Sequence, residues 1–86
     1  MQALILYIPK SDHGSEVEEY ATEFNSRYPG LKMILLDAES REGVAKCELY
    51  DILSYPSVIV FTDDMVLQNA WIGKLPQFSE VYAYMM

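Results

Sequence analysis

The sequence contains only one thiol. It contains one cysteine, Cys47, so no internal disulfide can form and a cross-linked secreted scaffold is excluded. It has one histidine, His13, and no second group of His, Cys or closely spaced carboxylates that would support Asp12 and His13 as metal ligands. We therefore predict neither a metal site nor a cofactor.

Long apolar runs and positive charge are also scarce. No apolar run approaches the roughly 18 residues that a membrane-spanning helix needs. The N-terminus has neither the basic region nor the cleavage site of a secretory signal. Six Lys and Arg stand against thirteen Asp and Glu, and the net charge of −7 argues against a nucleic-acid footprint. We expect a cytoplasmic protein that binds neither nucleic acid nor membranes.

What the sequence does contain is enough apolar surface for one core. Half of its 86 residues are hydrophobic, so residues 1–86 should form a single domain, close to the lower size at which a core suffices without cross-links. The composition leaves the oligomeric state open between a monomer and a weak homodimer.

The order of apolar patterns predicts alternating strands and helices. Continuous apolar runs predict buried strands, spacings of three and four residues predict helices, and Gly and Pro separate them. The predicted strands are 3–8, 31–36, 57–61 and 66–72. The predicted helices are 15–28, 41 to about 52, and a last one with Pro76 in its first turn. Ser11 or Asp12 is predicted to cap the first helix, and Ser40 the second.

The stretch from Tyr50 to Phe61 carries a family resemblance. A helix ends near Ile52, a turn follows, and Pro56 leads into the β-branched strand after it. The Tyr-x-Ile-x-x-x-Pro-Ser spacing resembles the thioredoxin-like superfamily, in its minimal form shared with glutaredoxins. The resemblance implies an α/β fold, β-α-β-α-β-β-α, with a four-stranded mixed sheet in the order 2-1-3-4 and helices on both faces. It also implies a cis bond between Tyr55 and Pro56.

The paired cysteines of that family are missing. An ungapped count back from Tyr28-Pro29-Gly30 places Ser11-Asp12-His13-Gly14 where the family has Cys-x-x-Cys. A serine hydroxyl is not ionised by a helix terminus, so dithiol exchange is excluded there. The glycine and aspartate of the glutathione-binding turn are also lacking after Gly73. Ser11, Asp12 and His13 have the residue types of a hydrolytic triad, but neighbours in one loop rarely reach its geometry, and we favour a polar loop.

Cys47 has two possible roles. A buried free cysteine in a helix behaves as a small hydrophobic residue, and this is the role that we favour. The alternative is a reactive thiol, which would make the chain an atypical single-thiol redox or thiol-transfer protein. Apart from this thiol no catalytic residue is predicted, and we lean towards a chain that is not an enzyme.

The substrate-docking surface of the family is the feature that remains. The resemblance implies that the residue before the cis-proline, here Tyr55, offers its main chain to an extended peptide. We predict a redox-inactive domain that binds a peptide or protein or assembles with itself; a variant of this reading is a thioredoxin mimic that occupies thioredoxin partners. For Trp71, packing in the four-stranded sheet is the role that we favour, and a place in this groove is its alternative. The predicted groove residues are Ser11, Asp12, His13, Tyr55, Pro56, Trp71, Ile72 and Gly73.

Overall fold

Four strands and three helices alternate along the chain in the predicted order. A computed structural model describes residues 1–85. The strands are β1 (Gln2–Tyr7), β2 (Met33–Asp37), β3 (Ser57–Phe61) and β4 (Leu67–Trp71), and the helices are α1 (Gly14–Arg27), α2 (Arg41–Tyr50) and α3 (Phe78–Met85). The predicted β-α-β-α-β-β-α order is confirmed.

The strands form one mixed sheet in the order β2-β1-β3-β4, as predicted. β1 runs parallel to β2 and antiparallel to β3, with Leu6 opposite Ser57. β4 runs antiparallel to β3, and the register shifts by one residue opposite Val60 and Phe61, which leaves Gln68 without a partner. This shift of register is a β-bulge in β4.

Apart from Gln2 at the start of β1 and Ser57 at the start of β3, the two central strands are apolar, because both of their faces are covered. Successive side chains of a strand point to opposite faces. Ala3, Ile5 and Tyr7 accordingly join one core cluster, whereas Leu4 and Leu6 join the other. β3 divides in the same way, and all five of its residues are buried. Continuous apolar runs are therefore the expected pattern for these strands.

Each face of the sheet is covered by different helices, which confirms helices on both faces. α1 and α3 cover one face through Val17, Phe24 and Val81, which are all fully buried. α2 covers the other face and buries only Gly43 and Cys47. No helix within residues 1–85 is long and apolar enough to cross a membrane.

Three predicted details of the helix ends are wrong. Pro76 precedes α3 and does not lie in its first turn, because the helix begins at Phe78. The residue at the N-cap of α1 is His13, and neither Ser11 nor Asp12 caps the helix, because the chain first makes a turn in which the Ser11 hydroxyl donates to the Ile8 carbonyl oxygen. α2 ends at Tyr50, two residues early, because Asp51 adopts a left-handed conformation with φ of 57°. The Ser40 cap is confirmed, since its hydroxyl oxygen accepts from the Gly43 N–H at 3.0 Å.

Candidate functional site

The register of the strands brings three distant segments to one edge of the sheet. Leu6 lies opposite Ser57, and Val58 lies opposite Trp71. Each strand leaves the sheet just beyond these pairs, so the loop 10–13 after β1, residues 54–56 before β3 and residues 72–74 after β4 lie at the same end. We call these three segments the Pro56 edge. Ser11, Asp12, His13, Tyr55, Pro56, Ile72 and Gly73 all belong to it.

A buried hydroxyl ties two of these segments together. Ser57 is fully buried, and its hydroxyl donates to the Ser54 carbonyl oxygen at 2.6 Å. The Ser57 hydroxyl oxygen also accepts from the Gly73 N–H at 3.0 Å. Gly73 has a φ of 75°, which glycine adopts without the strain that a side chain would add. The turn before β3 and the turn after β4 are thereby held at a defined separation.

The polar side chains of the loop between β1 and α1 form hydrogen bonds with main-chain groups of the same loop. The Ser11 hydroxyl donates to the Ile8 carbonyl oxygen at 2.6 Å, and the His13 Nε2 accepts from the Ile8 N–H at 3.0 Å. A hydrolytic triad needs the serine hydroxyl to donate to the imidazole. Ser11 and His13 instead bind opposite groups of Ile8, which supports the polar-loop interpretation.

Tyr55 presents a free main chain and a partly buried ring. Within residues 1–85, its N–H and its carbonyl oxygen make no hydrogen bond. The Tyr55–Pro56 peptide bond is cis. The Tyr55 hydroxyl donates to the Cys47 Sγ at 3.4 Å. This hydrogen bond, with burial and nearby negative charge, raises the pKa of Tyr55 above its ordinary value.

The ring of Tyr55 forms one wall of a shallow depression of about 400 Å³ on the α2 side. Cys47 and Ile52 form its floor, and both are buried. Val44 and Leu53 are apolar residues of its rim, with 44% and 88% of their surfaces exposed. Glu48 and Asp51 complete the rim with two carboxylates. Of the predicted groove residues, only Tyr55 lines this depression.

Four residues that line the depression were not predicted from the sequence as site residues: Val44, Glu48, Asp51 and Leu53. One signal was available, because Leu53 is a large apolar residue in a turn that the sequence places between a helix and a strand. The other three residues depend on which side of α2 faces the sheet. That side is decided by Gly43 and Cys47, which are the residues that the helix buries.

Trp71 does not expose its side chain at the Pro56 edge. Only 7% of its surface is accessible, and it belongs to the core cluster under α1 and α3. Its ring packs edge-on against Tyr84, with ring centres 5.7 Å apart. The structure therefore favours the packing role for this side chain, while Ile72 beside it is 46% exposed.

Cys47 is the only thiol of the chain, and its Sγ accepts the hydrogen bond from the Tyr55 hydroxyl. Its exposed fraction is 9%, and it is one of the residues that line the depression. In the part of the chain that the structure describes, no group of three or more His, Cys, Asp and Glu could hold a metal ion.

Comparisons with known proteins agree on the fold. No protein-family model and no curated protein sequence matches this chain. Among solved structures, mitochondrial thioredoxin 3 from Saccharomyces cerevisiae is similar, with a TM-score of 0.72 and 13% identity over 98% of this chain and 74% of that chain. Thioredoxin O2 from Arabidopsis thaliana has a TM-score of 0.70 and 11% identity over 98% of this chain and 70% of that one. A designed protein reaches a TM-score of 0.69 with 15% identity over 96% of this chain and 70% of its own. The chain therefore has a thioredoxin-like fold, and identities this low show the fold alone.

Proposed function

We propose that this chain, which has the thioredoxin-like fold, is a redox-inactive module that binds an extended peptide or protein segment at the Pro56 edge. The single observation that carries the proposal is the main chain of Tyr55, whose N–H and carbonyl oxygen make no hydrogen bond within residues 1–85. The free N–H and carbonyl oxygen of Tyr55 can pair with the carbonyl oxygen and N–H of one residue in an added peptide strand.

The surroundings of Tyr55 support docking by main-chain pairing. Pro56 has no main-chain N–H to donate, so main-chain pairing with an incoming segment does not continue from Tyr55 to the Pro56 nitrogen. Gly73 lies across the edge and has no side chain that would obstruct an incoming segment. Ile72 and Leu53 are exposed on either side, and apolar flanks of this kind are common around a docking position.

The absence of dithiol chemistry rests on residue types at the start of α1. Ser11 and Gly14 stand where the resemblance implies cysteines, and the Ser11 hydroxyl is occupied by the Ile8 carbonyl. Cys47 has no second cysteine in the chain with which to form an internal disulfide. The partner is a peptide or protein in the cytoplasm, with no nucleic acid and no membrane involved, and the chain acts as a monomer or weak homodimer.

The test starts from heptapeptides selected against the immobilised protein from a random display library. Titration of a selected peptide into labelled protein should shift the amide signals of residues 54–56 and 72–74. Tyr55→Ala should weaken binding by about 1–3 kcal/mol, because an aromatic anchor is lost while the fold remains. Tyr82→Ala is the matched control: it removes an exposed tyrosine on α3 whose ring stacks on Tyr28 after the last residue of α1, and it should leave the affinity unchanged. Shifts confined to the outer faces of α1 and α3 would contradict the proposal.

The alternative function, thiol transfer by Cys47, is favoured by one observation: its sulfur lies at the floor of an open depression. Labelling with iodoacetamide separates the two. A structural Cys47 should react at least about tenfold more slowly in the native protein than in denaturant, because a buried thiol is shielded. Native labelling as fast as that of a free thiol would favour the alternative.

A further inference from the structure

We infer that the depression beside Tyr55 selects segments that carry an apolar side chain and a Lys or Arg two residues away from it. This inference rests on the proposed function, because it names the partner chemistry of the same edge. It adds a specificity that follows from this chain's own residues around Cys47.

The preference for an apolar side chain follows from apolar surface that is exposed around the depression. Leu53 is 88% exposed and Val44 is 44% exposed, and they stand on the rim above the buried Ile52 and Cys47. The Tyr55 ring is held over the sulfur by its hydrogen bond, so the wall of the depression is positioned before a partner arrives. One aliphatic side chain placed between Leu53 and Tyr55 would remove apolar surface from water on both partners.

The preference for a Lys or Arg follows from the carboxylates on the rim of the depression. Glu48 and Asp51 line the depression, and no Lys or Arg among residues 1–85 does so. The depression lies at the C-terminal end of α2, whose last turn has no basic residue to offset the partial negative charge of its carbonyl groups. Lys46 lies on the same helix, but its ammonium group is placed over the Phe61 ring, 5.6 Å from the ring centre. A cationic side chain of the partner is the complement to this rim.

The spacing follows from strand geometry. A segment that pairs with the main chain of Tyr55 is extended, and alternate side chains of an extended segment face the same side. An apolar side chain that enters the depression therefore has the residues two positions before and after it on the same side. A Lys or Arg at one of these positions would face Glu48 and Asp51.

Three capped heptapeptides test the inference directly. The probe has leucine at its centre, lysine two positions to either side, and serine elsewhere. The second peptide replaces both lysines with glutamate, and the third replaces the leucine with serine. The lysine–leucine peptide should bind at least about tenfold more tightly than either of the others, and its affinity should fall as salt is raised, because exposed charges are screened.

A charge-matched pair of protein variants locates the effect. Glu48→Gln together with Asp51→Asn neutralises the rim, and asparagine tolerates the left-handed conformation at position 51. Glu19→Gln together with Asp64→Asn makes the same change of charge at exposed positions outside the depression. The rim variant should lose the preference for lysine over glutamate, and the remote variant should keep it.

The outcomes separate this inference from the proposed function. If library-selected peptides shift the Tyr55 signals but the glutamate peptide binds as tightly as the lysine peptide, the edge is a docking site and the inferred chemistry is wrong. If the lysine–leucine peptide does not bind at millimolar concentration, the inference is likewise wrong. If no selected peptide shifts signals at the Pro56 edge, the proposed function fails, and the inference fails with it.

Discussion

Ser57 shows how one side chain can shape the candidate site without facing a partner. Its hydroxyl is fully buried, yet it donates to Ser54 and accepts from Gly73, so its hydrogen-bonding groups are used on both sides. The two turns that it joins flank Tyr55 and Pro56. The serine that follows Pro56 is part of the spacing that carries the family resemblance, and the structure supplies a physical reason for a hydroxyl there.

Ser57→Ala should lower the free energy of unfolding by about 1–3 kcal/mol, because the Gly73 N–H and the Ser54 carbonyl lose a buried partner. Both of those residues are exposed, so water can replace part of the loss and the lower half of this range is expected. Ser26→Ala, at an exposed position of α1, should change the stability by less than about 0.5 kcal/mol. Urea denaturation of the two variants and the parent measures this, and equal stability of all three would contradict the role given to Ser57.

At the scale of elements, two glycines let the helices start close to the sheet. A side chain at Gly43 would overlap the carbonyl oxygen of Asp37 at the end of β2, and one at Gly14 would overlap the carbonyl oxygen of Pro9 after β1. Both neighbours are main-chain atoms, which cannot move aside as the end of a flexible side chain can. The close starts of α1 and α2 therefore depend on these two positions.

Gly43→Ala is expected to destabilise the protein by about 1–3 kcal/mol, because the methyl group would force α2 away from the strand. The sign is informative, since the same change inside an unobstructed helix stabilises it by about 1 kcal/mol. Gly30→Ala is the control, because no atom lies within 4 Å of the added methyl group. Its effect on thermal or urea unfolding should stay within about 0.5 kcal/mol. A Gly43→Ala protein as stable as the parent would show that α2 has room to shift.

We expect the packing of α1 against the segment before α3 to be sensitive to alkaline pH. The Tyr20 hydroxyl donates to the Pro76 carbonyl oxygen at 2.6 Å, and burial, followed by the charge of Glu80, raises the pKa of Tyr20 above its ordinary value of 10.0. Above about pH 10 the unfolded chain loses this proton while the folded protein keeps it, so the folded state binds more protons and stability falls as pH rises.

Urea denaturation at about pH 8 and about pH 11 should show this loss, and Tyr20→Phe should make the loss smaller, because one titrating group is removed. Tyr84→Phe, at a residue that is 41% exposed, serves as the control and should lose as much stability as the parent. A Tyr20→Phe protein with the same alkaline loss as the parent would assign the effect to other groups. Tyr7 and Tyr55 are the candidates, since their pKa values are raised as well.

At the scale of the whole molecule, the edge where thioredoxin-like oxidoreductases carry their dithiol is built here from oxygen and main-chain groups. We expect no turnover in an insulin-reduction assay with dithiothreitol, because Ser11 and Gly14 provide no thiol and Cys47 is buried and has no second cysteine. A protein of the same fold with an intact cysteine pair is the positive control. Turnover that disappears in Cys47→Ser would overturn this expectation and favour single-thiol chemistry.

The order of the elements was predictable from the sequence because each signal is local. The apolar runs of β1 and β3, the three- and four-residue apolar spacing that predicts the helices, and the Ser40 cap all depend on residues close together in the sequence. The strand order came from the resemblance around Pro56, and the structure confirms it. The absence of the paired cysteines was also evident from the sequence, because residue types are known without a structure.

The depression beside Tyr55 could be decided only by the tertiary structure. Which side of α2 faces the sheet depends on the close approach of Gly43 to Asp37, two residues that belong to different elements. That choice buries Cys47 and leaves Val44 on the rim, although both are apolar in the sequence. Trp71 illustrates the same limit, because its burial follows from its register opposite Val58 and not from its residue type. The sequence by itself determined the order of the strands and helices and the absence of a cysteine pair. Packing between distant segments decided which side chains a partner can reach.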